Sequence, residues 1–173
     1  IYAEGDYTHD CRDLMLIDEK GYVAYKERSS HPHAKKSWRA THLPPLIYCS
    51  HTLGPLLRLM RDKAISCIGL NTGGKTTPDL GTVDLETALL TTEKGAVIRL
   101  TNGFTVAHPM TLFYKLVGTK GSILYGSLTG NELLYYSDED TENGWQRIQV
   151  GKSEDKRSST ERMVEAFVLS ITR

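Results

Sequence analysis

Cysteine is scarce in this chain: three in 173 residues, Cys11, Cys49 and Cys67, with no C-x-x-C spacing. So sparse and odd a set offers no disulfide framework and fits reduced thiols in a cytoplasmic setting. Net charge is missing too, with 21 basic against 21 acidic side chains, so the basic excess of a nucleic-acid platform is absent and no nucleic-acid partner is expected. No apolar run approaches the roughly 20 residues that a membrane helix needs. Of the six histidines, His31 and His33 share a loop, but no Cys/His/Asp set at metal spacing accompanies them, so no metal site is expected. There is no G-x-S-x-G elbow for a serine hydrolase. What remains, 39% apolar and 24% charged, is the composition of an ordinary globular domain.

The pattern along the chain reads as α+β. Residues 1–9 are strand-like, with Tyr2 and Tyr7 in an extended run. Lys26–Lys36 is polar and basic and reads as a surface loop. Leu53, Leu56, Leu57 and Met60 fall at i, i+3, i+4, i+7, one face of a helix. An interior proline would cost about 3 kcal/mol, so Pro55 must lie in the first turn and the helix must begin near His51 or Thr52. Ala64–Leu70 is a short apolar strand, and 71–84 is loop. Leu85–Thr92 and Gly95–Asn102 form a hairpin in which Gly95 supplies the positive φ of the turn. Thr111–Val117 pairs with Ser122–Leu128, and Glu132–Ser137 with Trp145–Val150. Ser158-Ser159-Thr160-Glu161 is a capping box before an amphipathic helix with Met163, Val164, Phe167, Val168 and Ile171. The expected architecture is an open, mostly antiparallel sheet of about six strands with helices on one face. The chain opens at Ile1 inside a strand pattern and stops at Arg173 inside a helical one. One domain, 1–173, is therefore expected, as a piece of a longer protein.

Gly69-Leu70-Asn71-Thr72-Gly73-Gly74-Lys75-Thr76 satisfies G-x-x-x-x-G-K-[ST] letter for letter. A phosphate loop also needs a helix directly afterwards. Here Thr77-Pro78-Asp79-Leu80-Gly81-Thr82-Val83 follows, which is poor helix material, so a plain loop is expected. Three other clusters carry candidate chemistry. His51 stands at a helix N-terminus, where the positive end of the dipole disfavours an imidazolium; a neutral ring suits a general base, and Tyr48 could add a phenol to the same cleft. On the opening strand Tyr7 and His9 point to one face. Trp38 and Arg39 could stack on a sugar ring or bind a carboxylate.

The order E-G-x-Y-x-H-D, then S-W-R, then Y-x-S-H-x-L-G-P, then hairpins with G-T-K-G-S, then M-V-E-A-F-V-x-S-I resembles the C-terminal domain of the Gfo/Idh/MocA oxidoreductases over nearly the whole chain. Its Y-x-S-H-x-L-G-P is most similar to the branch of NAD-dependent α-N-acetylgalactosaminidases. The resemblance implies a dihydrodipicolinate-reductase-like fold and an N-terminal Rossmann domain, absent from this chain, that binds most of the NAD or NADP. It also implies a sugar-like substrate over the sheet and homo-oligomers formed through the open sheet face. On that reading His51 is the base and Tyr48 its neighbour, with Tyr7, His9, Trp38 and Arg39 facing substrate. The activity implied is hydride transfer from a sugar or cyclitol. The alternatives are redox-assisted glycoside cleavage on the same scaffold and a non-catalytic binding or dimerisation domain.

Overall fold

The computed structural model describes residues 1–40 and 44–148, together with Val168. The opening strand β1 (Tyr2–Thr8) is followed by three short strands, β2 (Leu16–Asp18), β3 (Gly21–Val23) and β4 (Lys35–Lys36), which form a small antiparallel sheet in the order β3-β2-β4. After one helix, α1 (Leu53–Met60), come β5 (Ala64–Asn71), β6 (Leu85–Thr92), β7 (Val97–Gly103), β8 (Thr111–Val117), β9 (Gly121–Gly126), β10 (Leu133–Ser137) and β11 (Gln146–Ile148). With β1 these seven make an eight-stranded sheet ordered β11-β10-β9-β8-β1-β7-β6-β5. Only the β1–β7 pair is parallel, with Tyr2 opposite Val97 and Thr8 opposite Gly103.

The expected α+β class and mostly antiparallel sheet are thus present. Two details differ. The main sheet has eight strands rather than about six. The segment read as a polar loop contains a turn of 3-10 helix at Tyr25–Ser30 and the strand β4. Lys35 and Lys36 leave both side chains exposed while their backbone pairs with β2, and the Ser37 hydroxyl and amide anchor the next residue to Leu14 O and Met15 O. Polarity indicated the solvent side there but said nothing of backbone pairing. The expected C-terminal helix, Met163 to Ile171, lies outside the described residues apart from Val168.

Helix α1 begins where Pro55 demands and ends where Arg61 turns left-handed at φ 49°. Leu53, Leu56, Leu57 and Met60 face the sheet, and Leu56 is fully buried with Ala3, Ala88, Leu90, Ile98 and Leu100. Burying a leucine to this degree is worth about 1.5–3 kcal/mol. The helix comes this close because β1 carries Gly5: a Cβ there would stand 3.0 Å from Thr52 Cβ and 3.3 Å from Leu56 Cδ1. A second core, with Cys11, Met15, Leu16, Val23, Ala40, Leu80 and Phe104, joins the small sheet to the end of the large one. The opposite face of the large sheet has no covering layer among the described residues. Ile68, Leu70, Leu89 and Val97 are exposed on that face beside Glu4, which is paired with Arg99 and Lys115.

Candidate substrate site

The candidate base sits on a segment that bridges both cores. Pro44 is extended and Pro45 starts a 3-10 run, Pro45–His51, which is kinked at Tyr48 and leads through Thr52 into α1. Leu46 and Cys49 pack on the first core and Tyr48 on the second. Four side chains from the sheet and the turn hold its backbone. The Asn102 amide on β7 donates to Pro45 O at 3.1 Å, and the Glu86 carboxylate on β6 accepts from Leu46 N at 2.8 Å. The Thr52 hydroxyl donates to Cys49 O at 3.2 Å and reaches Asn102 Oδ1 at 3.4 Å. The Tyr114 hydroxyl on β8 donates to His51 O at 2.5 Å. Asn102 and Thr52 are both fully buried, so these bonds lie where lost partners are costly. A segment tied at so many points presents its side chains in a fixed direction.

Those side chains meet an aromatic cluster. The His51 ring lies 5.4 Å, edge to face, from Tyr7 and 6.3 Å, nearly parallel, from Tyr48. Tyr7 and Tyr48 each stand edge-on to Phe104, at 5.3 and 5.0 Å. Trp38 is 6.5 Å from Tyr48, and the Arg39 guanidinium lies 4.5 Å over the Trp38 ring. Met15, Pro45, Thr82, Val83 and Thr105 complete a narrow cleft beside Trp38, Arg39, Tyr48 and Phe104. Five of the six residues singled out from sequence therefore share one region. His9 follows the end of β1 at Thr8, and its Nδ1 lies 3.2 Å from the Sγ of buried Cys11, whose thiol burial pushes up. Phe104, the hub of the cluster, was not anticipated, nor were the anchors Glu86, Asn102 and Tyr114. The hydrophobic pattern of β7 pointed to its strand, but nothing local marks the residue after its end as a cavity wall.

The loop that starts with the phosphate-motif imitation supplies Thr82 and Val83 to this cleft further along. No helix follows Thr76. The amides of Lys75 and Thr76 donate to the Asp84 carboxylate at 2.7 and 3.1 Å, and the hydroxyls of Thr76 and Thr105 donate to it at 2.7 Å each. The chain's own carboxylate occupies the donors that a phosphate would need. Burial alone would raise the Asp84 carboxyl, but these hydrogen bonds outweigh it and hold it below the usual range. Further along, Lys36 Nζ donates to Leu80 O at 2.7 Å, which fastens the loop to the small sheet. Among the described residues, no group of three His, Cys, Asp or Glu side chains is arranged to hold a metal ion. No helix among them is long and apolar enough to cross a membrane.

Neither a protein family nor a curated protein matches the chain in sequence. Solved structures do match it in shape. An inositol dehydrogenase homolog from Azotobacter vinelandii, complexed with NADH and myo-inositol, superposes with a TM-score of 0.60 at 13% identity, over 88% of this chain and 36% of that one. Levoglucosan dehydrogenase in complex with NADH and L-sorbose gives 0.63 at 14% identity, over 96% of this chain and 47% of its own. UDP-N-acetylglucosamine 3-dehydrogenase GnnA from Acidithiobacillus ferrooxidans gives 0.58 at 15% identity, over 99% and 46%. The fold is that of a domain of such oxidoreductases. The chain spans less than half the length of each of these three proteins.

Proposed function

We propose that this chain is the substrate-facing and oligomerisation domain of a Gfo/Idh/MocA-type oxidoreductase that acts on a sugar or cyclitol. The observation that carries the reading is the placement of His51: an imidazole at the entrance to α1, on the same side of the sheet as Tyr7 and Tyr48, beside a cleft lined by aromatic rings. Likeness in fold to sugar and cyclitol dehydrogenases supports it.

The described residues offer no glycine-rich turn opening a helix, and the one motif that imitates a phosphate cradle is filled by Asp84. NAD or NADP would be held by a Rossmann domain outside this chain and, when bound, would supply the hydride acceptor. The work left to these residues is binding and proton transfer. Trp38 offers a flat apolar face to a sugar ring, and the phenols of Tyr7 and Tyr48 hydrogen-bond its hydroxyls. As a carbinol C–H is lost as hydride, the O–H proton passes to a ring nitrogen of His51 and the C–O bond becomes a carbonyl. The tethered backbone under His51 keeps that nitrogen in one place, which is the larger part of what a positioned base supplies. The open sheet face, with its apolar Ile68, Leu70, Leu89 and Val97, is the surface proposed to pair with a second copy.

His51 is exposed and, among the described residues, its side chain makes ring contacts with Tyr7 and Tyr48, so His51→Ala should leave folding intact while lowering turnover of the full-length enzyme by about two to four orders of magnitude. Turnover at the wild-type rate would remove His51 from the mechanism. The Y-x-S-H-x-L-G-P sequence supports a glycosidase variant of the same chemistry, in which hydride returns after elimination. Net hydrolysis without accumulating NAD(P)H marks that variant, and accumulating NAD(P)H marks the dehydrogenase.

A further inference from the structure

Among the described residues that wall the aromatic cleft, Arg39 alone carries a charge; Met15, Trp38, Tyr48, Phe104 and Thr105 are apolar or neutral. The guanidinium is half-buried and lies over the Trp38 ring at 4.5 Å, an arrangement that fixes its plane and leaves the N–H edge as its polar side. Among the described residues no carboxylate comes within 4.0 Å of it, although seven other ion pairs do form. The residues that follow, Thr41, His42 and Leu43, carry no acid in their sequence. The acid next to the cleft wall, Asp84, is engaged by four donors of its own. A cationic fork held on an aromatic wall, half-buried and without a counter-ion among the described residues, is suited to receive a planar anion.

We infer that the substrate is an acidic sugar or polyol whose carboxylate is held in bidentate fashion by Arg39 while its hydroxyls face Tyr48 and His51. This deepens the oxidoreductase reading and rests on it for the identity of the reacting hydroxyl. The other source of an anion in such a protein is the phosphate of a dinucleotide. The position favours the substrate: Tyr48 lines the cleft beside Arg39 and stands next to His51.

The test uses the full-length protein without added cofactor and two matched pairs, glucuronate with glucose and gluconate with sorbitol. Calorimetric titration of the wild type should show at least one acid bound tenfold or more tightly than its neutral partner. In Arg39→Gln that ratio should fall to near one, and Arg39→Lys, which keeps the charge but loses the fork, should fall between. Equal affinity within both pairs, a neutral preference, or an unchanged ratio in Arg39→Gln overturns the inference. So does a loss of NAD or NADP affinity in Arg39→Gln with the acid preference intact, because the arginine would then serve the cofactor. A separate arm follows NAD(P)H formation. Arg39-dependent binding of the acid without any redox turnover refutes the oxidoreductase reading and leaves acid recognition standing. Turnover of a neutral sugar that ignores Arg39 does the reverse.

Discussion

Asp84→Asn is the sharpest probe of how the cleft wall is built. Asp84 is 4% exposed, and its two oxygens accept from Lys75 N, Thr76 N, Thr76 Oγ1 and Thr105 Oγ1. Hydrogen bonds to a charged group contribute roughly 1.5–3 kcal/mol each, so four would suggest a very large loss, but they are not independent. The Thr76 hydroxyl keeps a second acceptor, Thr105 O at 2.5 Å, and Lys75 is exposed enough for water to serve its amide. The Thr76 amide and the buried Thr105 hydroxyl remain, and asparagine can accept from only one side while its amide hydrogens oppose a donor. The expected cost is about 2–3 kcal/mol at pH 7, read by urea unfolding. The folded-state carboxyl is held below the ordinary value of about 3.9, so its contribution is fully present above that value and is lost as the pH falls through the lower folded-state value. The gap between wild type and Asp84→Asn should therefore begin to close below about pH 4, where protonated Asp84 becomes a near isostere of asparagine. A cost below about 0.5 kcal/mol at pH 7, or a gap that does not narrow in acid, would refute the reasoning.

Two further substitutions test the parts around it. Asn102→Leu should cost about 2–3 kcal/mol in urea unfolding, because Pro45 O is stranded in the core while the Thr52 hydroxyl keeps Cys49 O; an unchanged midpoint would show that Asn102 does not anchor the His51 segment. Asp6→Asn should act with the opposite sign to Asp84→Asn. Burial raises the Asp6 carboxyl and the Thr8 hydroxyl only partly offsets this, so the ionised form weakens the fold as the pH rises through the raised value. The variant should melt slightly higher than wild type at pH 7 and no differently near pH 3.5, and no gain at pH 7 would contradict the burial argument.

How much of this was legible in the sequence follows from the range of each interaction. Periodicity is local, so α1 was found with its proline-limited start, and the hairpins of β6 with β7 and β8 with β9 were found nearly to the residue, including Gly95 at φ 79°. Motif order was enough to gather Tyr7, Trp38, Arg39, Tyr48 and His51 in one region, because the first strand and the helix entrance are neighbours in the sheet stack. His9 lies one residue past the end of β1 at Thr8, so strand alternation no longer fixes its direction relative to Tyr7.

The residues that went unseen act over long sequence separations. Glu86 holds Leu46 across 40 positions, Asn102 holds Pro45 across 57, and Tyr114 holds His51 across 63. Each is an ordinary strand residue by composition, and its role exists only once β6, β7 and β8 lie side by side under the turn. The phosphate-loop imitation makes the same point from the other direction. Eight consecutive letters matched, yet what decides anion binding is the partner of the Lys75 and Thr76 amides, and that partner is an aspartate eight or nine residues downstream. A phosphate would have to displace a buried carboxylate that already satisfies four donors.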